Sequence, residues 1–152
     1  VGWDAALPRI CTYALFKQIN TENYFYVFNC HLDHQGEQAR IQSVALIHKT
    51  IDSMNLLQYP VILMGDLNSV PNTEPIYFLK THYSDSRTSA AFSFEENEGT
   101  FNNFNTTALP EKRIDYIFLK GIYAKQYLAI TNKRKNGLWM SDHLPVTVII
   151  QF

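Results

Sequence analysis

Pro60-Val61-Ile62-Leu63-Met64-Gly65-Asp66-Leu67-Asn68 is the stretch that decides how this chain folds. The unbroken apolar run after Pro60 reads as a central strand buried on both faces, since a strand with one wet face would alternate. It stops at Gly65-Asp66, so a carboxylate is delivered where the strand leaves its sheet. Upstream, Tyr24 to His31 is dominated by aromatic and β-branched residues and predicts another strand. Between the two, Ile41, Val44, Ile47, Ile51 and Met54 recur at three- and four-residue spacing, with Arg40, Lys49 and Asp52 off that stripe. That period predicts a helix beginning after Gly36. Strand, helix and strand in this order make a βαβ-like unit.

Working outward, Arg9 to Gln18 predicts a strand that joins Tyr24 to His31 in a hairpin through the turn-like Asn20-Thr21-Glu22-Asn23. Thr73 is placed to cap a second short helix running to about Lys80, with Glu74 and Pro75 in its first turn. Three further strands are predicted at Ile114 to Leu119, Tyr123 to Thr131 and Val146 to Phe152, separated by Gly121 and by the basic loop Lys133 to Gly137. The polar, aromatic-studded stretch from Asp85 to Thr107 receives no assignment. Strands outnumber helices, and the mixture predicts a layered α/β or α+β fold.

The 152 residues are the length of one ordinary domain, and 46% hydrophobic with 14% aromatic content is enough for a sizeable core. Thirteen basic and 14 acidic residues leave a net charge of -1, which excludes a global positive field for nucleic acid. A polyanionic substrate would then need a local device such as a metal ion. Cys11 and Cys30 lie in apolar runs without CxxC spacing, which argues for buried free thiols rather than zinc. No segment approaches the ~20 apolar residues of a membrane-spanning helix.

Four polar clusters sit where apolar runs begin or end: His31-Leu32-Asp33-His34, Gly65-Asp66-Leu67-Asn68, Arg113-Ile114-Asp115-Tyr116 and Ser141-Asp142-His143-Leu144-Pro145. Asp66 and Asn68, two residues apart, project to the same side of an extended chain and suit a hard cation or a phosphate oxygen, unless they only make a turn. Asp142 can ligate a metal while His143 acts as base or holds a phosphate oxygen, although such pairs also serve as caps. Asp115 among Ile114, Ile117 and Phe118 is costly without a partner, and Arg113 is the local candidate. His31 reads as a phosphate-facing donor and His34 as surface at the helix entry. The oxygen-rich donor set favours Mg²⁺ or Mn²⁺ over zinc. Lys133, Arg134 and Lys135 read either as a solvated turn or as a phosphate-facing run.

These clusters in this order, together with Gly99-Thr100-Phe101-Asn102, resemble the endonuclease/exonuclease/phosphatase superfamily of metal-dependent phosphoesterases, and its compact bacterial members in particular. The resemblance runs from Trp3 to Val146. It implies hydrolysis of a phosphate ester, with nucleic acid or a nucleotide slightly favoured as substrate and a phosphorylated metabolite or sugar open. By the same resemblance, His143 is the base or the phosphate-holding imidazole, and Asp115 orients it or polarises the attacking water. Asp66 and Asn68 position that water and the phosphoryl oxygens. Asp142, with Asp66, binds Mg²⁺ (or Mn²⁺), and His31, Asn68 and Arg113 contact the substrate. The implied fold is a four-layer α/β/β/α sandwich with mixed, largely antiparallel sheets. Residues 1–152 would then be the C-terminal portion of such a domain, little more than one sheet with its helices. The N-terminal strands and a metal-binding glutamate would lie in a missing N-terminal half, and neither Glu22 nor Glu37 has the context of that glutamate. The rival expectation is a non-catalytic module that binds a phosphorylated partner or a protein, inactive as this fragment.

Overall fold

The computed structural model describes residues 2–94 and 99–152. The strands are β1 (Cys11–Lys17), β2 (Tyr24–His31), β3 (Val61–Asp66), β4 (Ser84–Asp85), β5 (Phe92–Phe94), β6 (Asp115–Lys120), β7 (Tyr123–Ala129) and β8 (Val146–Gln151). Helix α1 (Glu37–Met54) joins β2 to β3, while α2 (Glu74–His82) and the single turn α3 (Ser86–Ser89) flank β4. One sheet has the order β1-β2-β3-β6-β4 and a second has β5-β7-β8. Only β2 with β3 and β5 with β7 run parallel, so the sheets are mixed and largely antiparallel.

The predicted βαβ unit is β2-α1-β3, and β3 is central because both its faces are covered. Val61 and Leu63 point to the helices, where Phe28 and Phe118 meet Val44, Ile51, Ile76 and Leu79. Ile62 and Met64 point the other way, where Ile117 and Leu119 meet Val146, Val148 and Ile150 of the second sheet. With no face in water, the strand needs no polar residue until Gly65-Asp66. The result is three layers, helices on sheet on sheet. The chain therefore supplies more than the expected single sheet, because β5, β7 and β8 pair with one another and pack face to face on the first.

α1 starts at a glycine that has no capping side chain. Asp4 from the N-terminal segment supplies one, its Oδ1 accepting from the Ala39 N–H at 2.6 Å and its Oδ2 from Gln38 at 3.2 Å. Asp33 ties the same corner, accepting from the N–H groups of Gln35, Gly36, Ala6 and Leu7. The Gly36 bond leads these in holding its carboxyl far below the usual carboxylate range. At α2, Thr73 occupies the cap position without a side-chain cap. Its hydroxyl donates instead to the Val70 carbonyl at 2.7 Å. The unassigned stretch 85–107 contains α3 and β5, and its residues 95–98 lie outside the described residues. No described helix is long and apolar enough to cross a membrane.

Candidate functional site

Strand register assembles the site. His31 pairs with Asp66 across β2 and β3, and Asp66 pairs with Asp115 across β3 and β6, so three polar side chains stand in one row at one end of the sheet. Close approach at this row depends on Gly65, whose φ of +136° and contact with β2 leave no space for a side chain. An added Cβ would lie 1.8 Å from the Cys30 carbonyl oxygen. Asn68 follows in the left-handed region, with φ of +46°. Its N–H donates to Asp66 Oδ1 at 2.8 Å and its Nδ2 to the Leu32 carbonyl at 3.0 Å. Asp66 and Asn68 thus do make a turn, and that turn holds both side chains in the row.

His143 arrives from the loop before β8. The segment Gly99 to Asn102 lies between the chain at Lys112 and the chain at His143, bonding backbone to both. Leu144 N–H donates to the Thr100 carbonyl at 2.7 Å, and Asn102 N–H to the Asp142 carbonyl at 2.8 Å. This pins the imidazole, whose Nδ1 lies 2.8 Å from Asp115 Oδ2 and whose Nε2 lies 4.0 Å from Asp66 Oδ2. The Phe101 ring packs on its face, with centroids 5.0 Å apart. His31 Nε2 is 3.3 Å from the same Asp66 oxygen, and its side chain is 57% exposed, open to a ligand.

Electrostatics follow from this crowding. Burial, with the neighbouring Asp115 charge, pushes the Asp66 carboxyl up from its ordinary value, against the Asn68 N–H and the two imidazoles. Burial opposes a charged His143, yet the hydrogen bond to Asp115 and the charges of Asp115, Asp66 and Asp142 outweigh it and raise its pKa. Asp66, Asp115 and His143 offer ligand atoms within 4.8 Å of one another. Two carboxylates that repel each other beside one imidazole are a donor set that a hard divalent cation fits.

Thr100 does more than its place in the Gly-Thr-Phe-Asn segment foretold. Its hydroxyl donates to Asp115 Oδ2 at 2.6 Å and accepts from the N–H groups of Ile114 and Asp115, both at 3.1 Å. No sequence signal for that role exists beyond the segment itself, because the partner lies on another strand.

Arg113 does not take the place expected of it at the site. It is paired neither with Asp115 nor with open solvent. Its guanidinium is 3% exposed, lies over the Tyr116 ring at 4.3 Å and forks onto Asp85, with Nη1 donating to Oδ2 at 2.8 Å. A group so enclosed cannot face a substrate; it anchors the strand that presents Asp115. Asp142 lies beside the Asp66, Asp115 and His143 group without belonging to it, and its Oδ1 accepts from Ser141 Oγ at 3.2 Å. His34 is exposed at the helix entry, as expected, with Arg9 Nη2 2.8 Å from its Nδ1. In the basic run, Lys133 donates to the Thr106 carbonyl at 2.9 Å and covers the Trp139 ring, so it braces a loop.

With this geometry in hand, a family profile described as "Endonuclease/Exonuclease/phosphatase family" matches residues 5–143. The chain belongs to the endonuclease/exonuclease/phosphatase family. Among solved structures, it is 35% identical to a mannosyl-6-phosphatase of Bacteroides thetaiotaomicron, with a TM-score of 0.89 over 99% of this chain and 60% of that one. A conserved protein of unknown function from Enterococcus faecalis is 31% identical, with a TM-score of 0.90 over 99% and 59% of the two chains. A curated relative, an uncharacterised protein of Acanthamoeba polyphaga mimivirus, is 28% identical over 99% of this chain and 59% of its own length. The chain thus spans about three-fifths of the length of these relatives.

Proposed function

We propose that this chain carries the His/Asp half of a divalent-cation-dependent hydrolase of phosphate esters. The observation that supports it best is the convergence of His31, Asp66, Asn68, Asp115 and His143 on one end of the central sheet. Asp66 with Asp142 would hold Mg²⁺ or Mn²⁺ beside Asp115 and His143. When bound, the cation supplies positive charge against the oxygens of the phosphoryl group. Asp115 accepts the hydrogen bond from the His143 Nδ1–H and so fixes the tautomer, which leaves Nε2 bare in the neutral ring. Nε2 then removes a proton from the attacking water, or in the imidazolium form holds a phosphoryl oxygen. Asn68 and His31 donate to non-bridging oxygens and fix the phosphorus in line with that water.

For the substrate, the net charge of -1 and the 35% identity to a mannosyl-6-phosphatase support a small phosphorylated metabolite, a sugar phosphate above all, over nucleic acid. The reading also includes an upstream part of the same enzyme. It would cover the exposed inner side of β1 at Ala14 and Phe16 and contribute a further acidic ligand.

The test is Mn²⁺-dependent hydrolysis of an aryl phosphomonoester, an aryl phosphodiester and mannose 6-phosphate, by the chain alone and extended by its native upstream residues, with Asp142→Ala as control. Turnover that needs Mn²⁺ and is lost in the control is the expected result, with the monoesters preferred. Phosphate binding without turnover in either form would replace this reading by the non-catalytic module.

A further inference from the structure

β1 and β2 pair in a register that sets Cys11 directly opposite Cys30. Residues so placed on antiparallel neighbours have Cα atoms about 4.5–5.5 Å apart, inside the roughly 4.4–6.8 Å span that a disulfide bridges. Both are free thiols. They differ in access, since Cys30 is buried and Cys11 is half-buried. Cys11 also lines two hollows of about 160 and 150 Å³ between β1 and α1, walled by Leu46 and Ile47.

We propose that Cys11 and Cys30 are an oxidation site, at which a low-molecular-weight disulfide converts the dithiol to a cross-strand disulfide that staples β1 to β2. The Cys11 thiolate attacks one sulfur of the reagent, forming a mixed disulfide and expelling one thiolate. Cys30 then attacks the Cys11 sulfur, its proton passing to the second departing thiol. Two protein thiols are oxidised and one reagent disulfide is reduced to two thiols, so electrons balance. The order of events follows from access, and the electrostatics agree with it. The hydrogen bond with Cys30 holds Cys11 below the usual thiol range against its partial burial, while the same contact and its own burial push Cys30 up.

The staple would fall one residue before His31. β1 is the edge strand of its sheet and is exposed along Thr12 to Lys17, so the edge that oxidation fixes borders the strand that carries a site imidazole.

The chain would be equilibrated in buffers of oxidised and reduced glutathione, native and in guanidinium, then acid-quenched and resolved by intact mass and peptide mapping. Expected is a Cys11–Cys30 bridge with an effective thiol concentration at least ~10-fold higher in the native chain than in guanidinium. Cys30→Ser is expected to stop at the glutathione adduct on Cys11, and Cys11→Ser to take up none while native. Oxidation is expected to raise the thermal midpoint by about 5–10 °C. Equal or weaker bridging in the native chain, or a native reaction that ends at the Cys11 adduct, would overturn the proposal.

Discussion

Thr100 uses its whole hydrogen-bonding capacity around Asp115, one donor and two acceptors, so Thr100→Val leaves two N–H groups without an acceptor and leaves Asp115 with His143 as its side-chain donor. Denaturant unfolding should register a loss of about 2–4 kcal/mol. The kcat should fall by roughly 10-fold at unchanged KM. Thr100→Ser, which keeps the hydroxyl, should restore both. Asp115→Asn removes the negative charge that faces His143 Nδ1–H and no longer fixes its tautomer, and should cost on the order of 10³-fold in kcat. Because the His143 pKa is raised, its imidazole gives up its proton at a higher pH than an ordinary histidine does. The rate of the wild type should therefore climb with pH through a midpoint above 6.5, and in Asp115→Asn that midpoint should move down. Asp66 gives the opposite kind of signal. Its folded pKa lies above its ordinary 3.8, so the folded state holds the proton longer, and its contribution to stability falls as pH rises through that window. Asp66→Asn removes the penalty, and a higher thermal midpoint at pH 7 with lost turnover should follow; an unchanged midpoint would argue against a strained site. His31, Asp66, Asp115 and His143 were legible as candidates because each stands where an apolar run begins or ends. The partners were not, since Arg113 finds Asp85 from β4, a strand of two residues that leaves no periodic trace.

Elements are legible in the sequence wherever burial imposes a period. α1 and β3 stood out because one carries a stripe and the other buries both faces, and the parallel register of β2 on β3 follows from the helix between them. The segment containing α3 and β5 stayed silent because two to four residues cannot show a period of 3.6 or 2. Caps supplied from a distance were equally hidden: Asp4→Ala should destabilise α1 by about 1 kcal/mol through loss of its bonds to Gln38 and Ala39. The Arg113 and Asp85 pair joins β6 to its edge neighbour inside the protein. Asp85→Ala should therefore cost about 3–5 kcal/mol by stranding a buried guanidinium, readable as a fall in the urea midpoint at unchanged slope.

At the scale of the whole molecule, one sheet is clad by helices on one face and by a smaller sheet on the other, and its polar end brings together one residue from each of the four clusters, His31, Asp66, Asp115 and His143. Between the sheets, Asn29, Met64, Asp115, Ile117 and Val146 line a hollow of about 250 Å³ that reaches the site carboxylate. A cation held by Asp66 beside Asp115 would relieve the repulsion of the two carboxylates only in the folded chain, so it should stabilise the wild type more than Asp66→Asn, by about 1.4 kcal/mol at tenfold its Kd. That one site, made by the order of strands, hydrolyses phosphate esters is the central claim. Its most direct test is phosphate release from mannose 6-phosphate by the chain with its upstream residues, with and without Mn²⁺, in the wild type and in His143→Ala. Release that requires both the cation and the imidazole is the predicted result. Release that survives either loss, or a folded, Mn²⁺-loaded wild type that releases none from this or any aryl phosphate ester, would contradict it.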